Sequence, residues 1–77
     1  MTEIISIPAD REGNKLFIKH FSKMNDRMFC EYKSTYNDMP FQKTELFFAD
    51  NNKNVVISGE DGTVLWRIPY KLLNDKL

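Results

Sequence analysis

The sequence predicts a small α+β domain with an antiparallel sheet in the order β-α-β-β-β, one amphipathic helix packed on that sheet, and a short C-terminal helix. Two patterns lead to this prediction. Apolar residues recur with helical spacing over residues 14–36, and they alternate with polar residues, as in strands, over residues 43–68. The length of 77 residues corresponds to a single domain, residues 1–77.

The first strand is predicted over residues 2–7, where Ile5 and Ile7 lie on the same face of an extended chain. Pro8 has no amide hydrogen to donate to a neighbouring strand, so we expect pairing to end there. A polar turn over residues 9–13 leads to the next element.

The amphipathic helix is predicted over residues 14–36. On a helical wheel, eight apolar or aromatic side chains fall within an arc of about 140°. These side chains are Phe17, Ile18, Phe21, Met24, Met28, Phe29, Tyr32 and Tyr36. A hairpin that turns at Asn25-Asp26 is the alternative, because each half of the segment also alternates in part, and it predicts an all-β small barrel.

Three strands joined by short turns are predicted next, over residues 43–49, 54–58 and 63–68. Asp61-Gly62 is a pair suited to the positive φ angles of a hairpin turn. Leu72 and Leu73 favour a short helix over residues 70–77.

Composition excludes several classes of protein. Eleven basic and eleven acidic residues give no net charge, so global positive charge does not attract nucleic acid. A hydrophobic content of 42% is too high for a disordered chain, and no apolar run approaches the roughly 18 residues of a membrane span, so no membrane partner is predicted. The single Cys30 and a start without a basic leader region predict a cytoplasmic location.

The sequence predicts no enzymatic activity, catalytic residue, cofactor or metal site. His20 and Cys30 are the only histidine and cysteine. On one helix they would lie about 15 Å apart along the axis, too far for a nucleophile and its base. In the hairpin alternative they could approach each other across the strands, so this exclusion depends on the fold.

One face of the predicted sheet has nothing to cover it. Phe47, Val56 and Leu65 are expected to point away from the helix, and an exposed apolar patch of this kind marks an interface. The acidic hairpin tip, Glu60 and Asp61, is expected to contribute charge to it. The leading hypothesis is therefore a module that binds another protein, with a homodimer as one form of that contact.

The composition is also typical of small accessory proteins of bacteriophages and mobile elements, many of which bind a host protein. This association comes from composition alone and from no motif. It favours an inhibitor or regulator that acts by occluding its partner.

A basic series gives the alternative hypothesis. Lys15, Lys19, Lys23 and Arg27 recur at every fourth position, so on a helix they would form one stripe. Such a stripe is suited to phosphates and predicts a nucleic-acid-binding regulator. An ordinary solvated helix face accounts for the same pattern.

Overall fold

The computed structural model describes residues 4–8, 11–36 and 38–75, which form a six-stranded antiparallel sheet and one short helix. Each strand pairs with the next in the chain, so the order in the sheet is the order in the sequence. No helix in this described part is long and apolar enough to cross a lipid bilayer. The elements are β1 (Ile5–Pro8), β2 (Lys15–Met24), β3 (Arg27–Ser34), β4 (Gln42–Ala49), β5 (Asn54–Ser58), β6 (Val64–Pro69) and α1 (Tyr70–Asn74).

The predicted α+β fold is wrong, because residues 14–36 form the β2–β3 hairpin and not an amphipathic helix. The chain turns at Asn25-Asp26, between the paired residues Met24 and Arg27. Asn25 has a φ of 57°, a left-handed conformation that asparagine tolerates better than most residues. Within the described residues β1 and β6 do not pair, so the sheet is an open half-barrel and not a closed barrel.

A β-bulge in β2 changes which residues face the core. The pairing of β2 with β3 shifts between Lys19 and Ser22, and His20 has a φ of 56°. Before the bulge Ile18 is buried, whereas after it Lys23 pairs with the buried Met28. The single alternation expected of a strand is therefore interrupted at His20.

The core lies on the inner, concave face of the sheet. The last turn of the chain contributes Leu73 of α1, which is fully buried. α1 is fixed at the β4–β5 end of the sheet, because the Tyr70 N–H donates to the carbonyl of Lys53 at 2.9 Å and the Tyr70 ring packs edge-on against Phe48. The buried core residues are Ile7, Leu16, Ile18, Met28, Cys30, Leu46, Val55, Ile57, Ile68 and Leu73.

The β4–β5 turn places three consecutive residues in the left-handed region. Asp50, Asn51 and Asn52 have φ angles of 55°, 56° and 66°. The Asp50 carboxylate accepts hydrogen bonds from the side chains of Asn54 and Arg67, both at 2.8 Å. The run of Asp and Asn thus provides the conformation and part of the hydrogen bonding that the turn requires.

We expect Asn52→Ala to lower the free energy of unfolding by about 1 kcal/mol, because alanine keeps the Cβ that a left-handed backbone crowds but lacks the short polar side chain that lets asparagine tolerate it. Asn52→Gly is the matched control and should leave the free energy unchanged or slightly higher. Urea denaturation followed by Trp66 fluorescence measures both. Equal losses in the two variants would show that the side chain of Asn52, and not its backbone conformation, matters.

Candidate functional site

The inner face of the sheet is filled at one end and open at the other. α1 covers the end where β4 meets β5. At the opposite end lies a groove of about 340 Å³, to which β3, β4, β6 and the segment between β3 and β4 all contribute. We refer to it as the groove; its lining residues are Tyr32, Lys33, Ser34, Tyr36, Met39, Pro40, Gln42, Leu65 and Trp66.

The groove combines partly buried aromatic rings with exposed apolar and aromatic side chains. Tyr32 and Trp66 pack against the core. Tyr36, Met39 and Leu65 keep 70%, 48% and 49% of their surface exposed. Tryptophan, tyrosine and methionine are enriched where proteins bind one another, and exposed apolar clusters mark such sites. The groove therefore has the composition of a contact surface.

Hydrogen bonds hold one wall of the groove in place. Ser34 is 4% exposed, and its Oγ accepts a hydrogen bond from the Tyr36 N–H at 2.9 Å. The Tyr32 hydroxyl donates to Oε1 of Gln42 at 3.5 Å, across the paired strands β3 and β4. These contacts fix the path of the chain as it leaves β3 and so position Tyr36 beside the groove.

The acidic hairpin tip adjoins the groove. A Cβ built on Gly59 would lie 3.4 Å from Oδ1 of Asp61 and 3.6 Å from Cδ1 of Leu65, so these two side chains are close to each other. The Thr63 N–H donates to Oδ1 of Asp61 at 3.0 Å, and this bond lowers the pKa of the Asp61 carboxyl. Asp61 is therefore a negative charge beside Leu65 at neutral pH.

The five residues predicted to bind a partner fall into two groups. Leu65, Glu60 and Asp61 lie at the groove end, because the β5–β6 register passes from Ile57–Trp66 to Ser58–Val64 and leaves Leu65 lining the groove. Phe47 and Val56 pair with each other on the outer face of the sheet, where Phe47 is 52% exposed and Val56 only 8%. The expected continuous patch of Phe47, Val56 and Leu65 is not formed; the role of each residue stays a prediction.

The predicted basic stripe is also divided, because its residues lie on strands and not on a helix. Lys15 and Lys19 point outward from β2, opposite Pro8 and Glu31. Lys23 follows the bulge and faces inward, with its Nζ 5.6 Å from the Phe48 ring centroid. Arg27 makes a two-pronged ion pair with Glu45, at 3.0 and 3.2 Å.

A different basic surface forms on the outer face, and we call it the basic-aromatic patch. The patch consists of side chains from three neighbouring strands: Lys15, Phe17 and Lys19 of β2, Lys33 of β3, Lys43 of β4, and Phe41, which comes just before β4. The Nζ atoms of Lys19 and Lys33 lie 4.1 and 5.7 Å from the Phe41 ring centroid. Sequence reasoning missed this set because its members come from three strands, and outward alternation within each strand is the signal that identifies them.

The cysteine and the histidine line the same cavity of about 500 Å³, but the ring of His20 is hydrogen-bonded to Glu31 and not to Cys30. Cys30 is buried on the inner face, and burial, followed by the nearby charge of Glu31, raises the pKa of its thiol to about 12. His20 is exposed and its Nδ1 is hydrogen-bonded to the Glu31 carboxylate, which lowers the pKa of Glu31. Among residues 4–8, 11–36 and 38–75, no three His, Cys, Asp or Glu side chains converge on a metal position.

Comparisons with protein-family models, with curated proteins and with solved structures returned no match to this chain. The groove and the basic-aromatic patch are therefore interpreted from their own geometry.

Phe47 and Val56 form a cross-strand pair with different burial, and we expect different costs of substitution. Val56→Ser should lower the free energy of unfolding by about 2 kcal/mol, because it removes buried apolar surface and adds a hydroxyl. Phe47→Ser should cost at most about 1 kcal/mol, since half of the ring is already in water. Thermal and urea denaturation compare the two; a larger cost at Phe47 would contradict the burial of Val56.

The His20–Glu31 contact predicts a pH dependence of stability. Since the pKa of Glu31 in the folded chain is below its ordinary value of 4.5, the stabilisation is complete above that pH and is lost as the pH falls through the lower folded value. The loss of stability caused by Glu31→Gln should therefore shrink as the pH is lowered below 4.5. Urea denaturation at a series of pH values tests this, with Glu60→Gln at the exposed tip as the control. A cost of Glu31→Gln that stays constant with pH would contradict it.

Proposed function

We propose that this chain is a small, non-enzymatic protein-binding module that holds a short segment of a partner protein in the groove. The observation that carries the proposal is the cluster of exposed Tyr36, Met39 and Leu65 around the half-buried Trp66, at the end of the sheet that α1 does not cover. Aromatic residues and methionine in a concave site contribute most of the binding energy in many protein interfaces.

The groove and its surroundings favour one class of partner segment. A volume of about 340 Å³ is at the lower end of the range for ligand sites and holds one or two large side chains. Asp61 places negative charge near Leu65, and Glu60 is its neighbour in the same turn. An extended segment with an aromatic or branched apolar side chain, followed within a few residues by lysine or arginine, matches both features.

Binding of this kind acts by steric occlusion. A partner segment seated in the groove is withheld from its other contacts, so the module serves as an inhibitor or regulator without any chemical step. The free and protonated Cys30 is suited to a reducing compartment, and we place this activity in the cytoplasm.

The proposal is tested with a displayed library of random peptides, selected on the intact protein. Trp66 is the only tryptophan and lines the groove, so its fluorescence reports directly on each selected peptide. Peptides that carry an apolar residue next to lysine or arginine should be enriched. The double variant Tyr36→Ala/Met39→Ala should bind them about tenfold or more weakly, because both side chains are largely exposed in the groove.

The matched control is Met24→Ala/Leu72→Ala, which also removes two exposed apolar side chains but away from the groove. It should bind the selected peptides as the wild type does. Sedimentation of the free protein identifies the case in which the partner is a second copy, since Tyr36→Ala/Met39→Ala would then abolish a dimer. Peptides that bind both double variants equally would contradict the proposed use of the groove.

A further inference from the structure

We infer that the basic-aromatic patch binds single-stranded nucleic acid. This surface faces away from the core and shares only Lys33 with the groove, so the inference rests on a different set of residues from peptide binding. Two rows of side chains run across β2, β3 and β4. In the first row Phe17 pairs with Lys33, and the continuing register places Phe41 next to Lys33. In the second row Glu31 lies between Lys19 and Lys43 and pairs with both.

The lysines of the patch are available to an anionic ligand. The four lysines of the patch and the neighbouring Glu31 carry a net charge of +3, and the carboxylate of Glu31 is already hydrogen-bonded to His20. In the described part of the chain, no carboxylate lies within 4.0 Å of these four ammonium groups, since the ion pairs join His20–Glu31, Arg27–Glu45 and Arg67–Asp50. Phosphates can therefore be neutralised without breaking an internal ion pair.

The phenylalanines give the patch a feature that charge alone lacks. Phe17 and Phe41 are both half-buried, so each ring is fixed at its base and reaches solvent. Two strand spacings separate them by about 10 Å, with Lys33 between them. The Nζ atoms of Lys19 and Lys33 lie over the Phe41 ring, 4.1 and 5.7 Å from its centroid, so a base that stacks on this ring takes the place of an ammonium group that is then free to meet a phosphate.

This combination favours unpaired bases over other polyanions. Stacking needs the face of a base, which a single strand exposes and a duplex hides. The sheet surface presents neither a helix nor a protruding ribbon for a major groove. An acidic protein would use the lysines but would gain little from two rings set among them. We therefore expect binding with little preference for sequence, and with both DNA and RNA.

Fluorescence anisotropy of a labelled oligothymidylate or oligouridylate of about ten nucleotides tests the inference, since one small β-domain covers roughly 4–16 nucleotides. The intact protein should bind at low salt, and the logarithm of the association constant should fall with the logarithm of salt concentration with a slope of about −3, at about −0.7 for each of four lysines. Lys19→Gln/Lys33→Gln should bind at least tenfold more weakly, with the slope reduced by about 1.4. Phe41→Leu should bind at least about fivefold more weakly with an unchanged slope, because only stacking is removed.

The control Lys53→Gln/Lys71→Gln changes net charge by the same amount at exposed positions outside the patch, and should bind within twofold of the wild type. Thermal denaturation confirms that each variant is folded. A duplex of the same length and a polyglutamate peptide are titrated in parallel, and both should bind more weakly than the single strand. Three results would overturn the inference. The first is the absence of single-strand binding at low salt, and the second is an equal loss of binding affinity in the two double lysine variants. The third is equal binding of the duplex together with no effect of Phe41→Leu.

Discussion

A single sheet with only a five-residue helix beside it can bury an apolar face only by curving around that face. This constraint determines the rest of the molecule. The inner face holds the core, and Leu73 of α1 completes it at one end. The other end has no such cover, which leaves the groove around Trp66 open. The described residues place no second layer on the outer face either, so Phe29 and Phe47 stay exposed there, whereas the smaller Val56 is buried.

The bulge at His20 determines how charge is distributed over these two faces. Lys19, before the bulge, points outward to Phe41, and the bulge turns Lys23, after it, inward to the rings of Phe48 and Tyr70. Without the extra residue, the end of β2 would face the opposite way. A left-handed conformation at one histidine thus separates the lysines of the patch from a lysine that shields the end of the core.

The later part of the fold was predictable and the earlier part was not. β5 is a short run of β-branched residues and β6 alternates, and both are bounded by Asn, Gly and Pro, so their ranges follow from the sequence. In β2 and β3 the bulge interrupts the alternation, and Phe17 and Phe29 lie on the outer face. The same spacing then matches a helical wheel. Helical and extended periods are hard to separate when both faces of a strand carry apolar residues.

The sequence could identify single residues of the site but not the groove that they form. Leu65, Glu60 and Asp61 were identifiable one at a time, as an outward leucine and an acidic tip. The groove itself combines Tyr32, Tyr36 and Trp66, which are up to 34 positions apart and meet only because the sheet curves.

The free edges of that curved sheet carry a further consequence. β1 has four residues and ends at Pro8, and β6 ends at Pro69, where α1 begins. Prolines and short edges hinder strand addition, so both free edges of this sheet are poor templates for pairing with another chain.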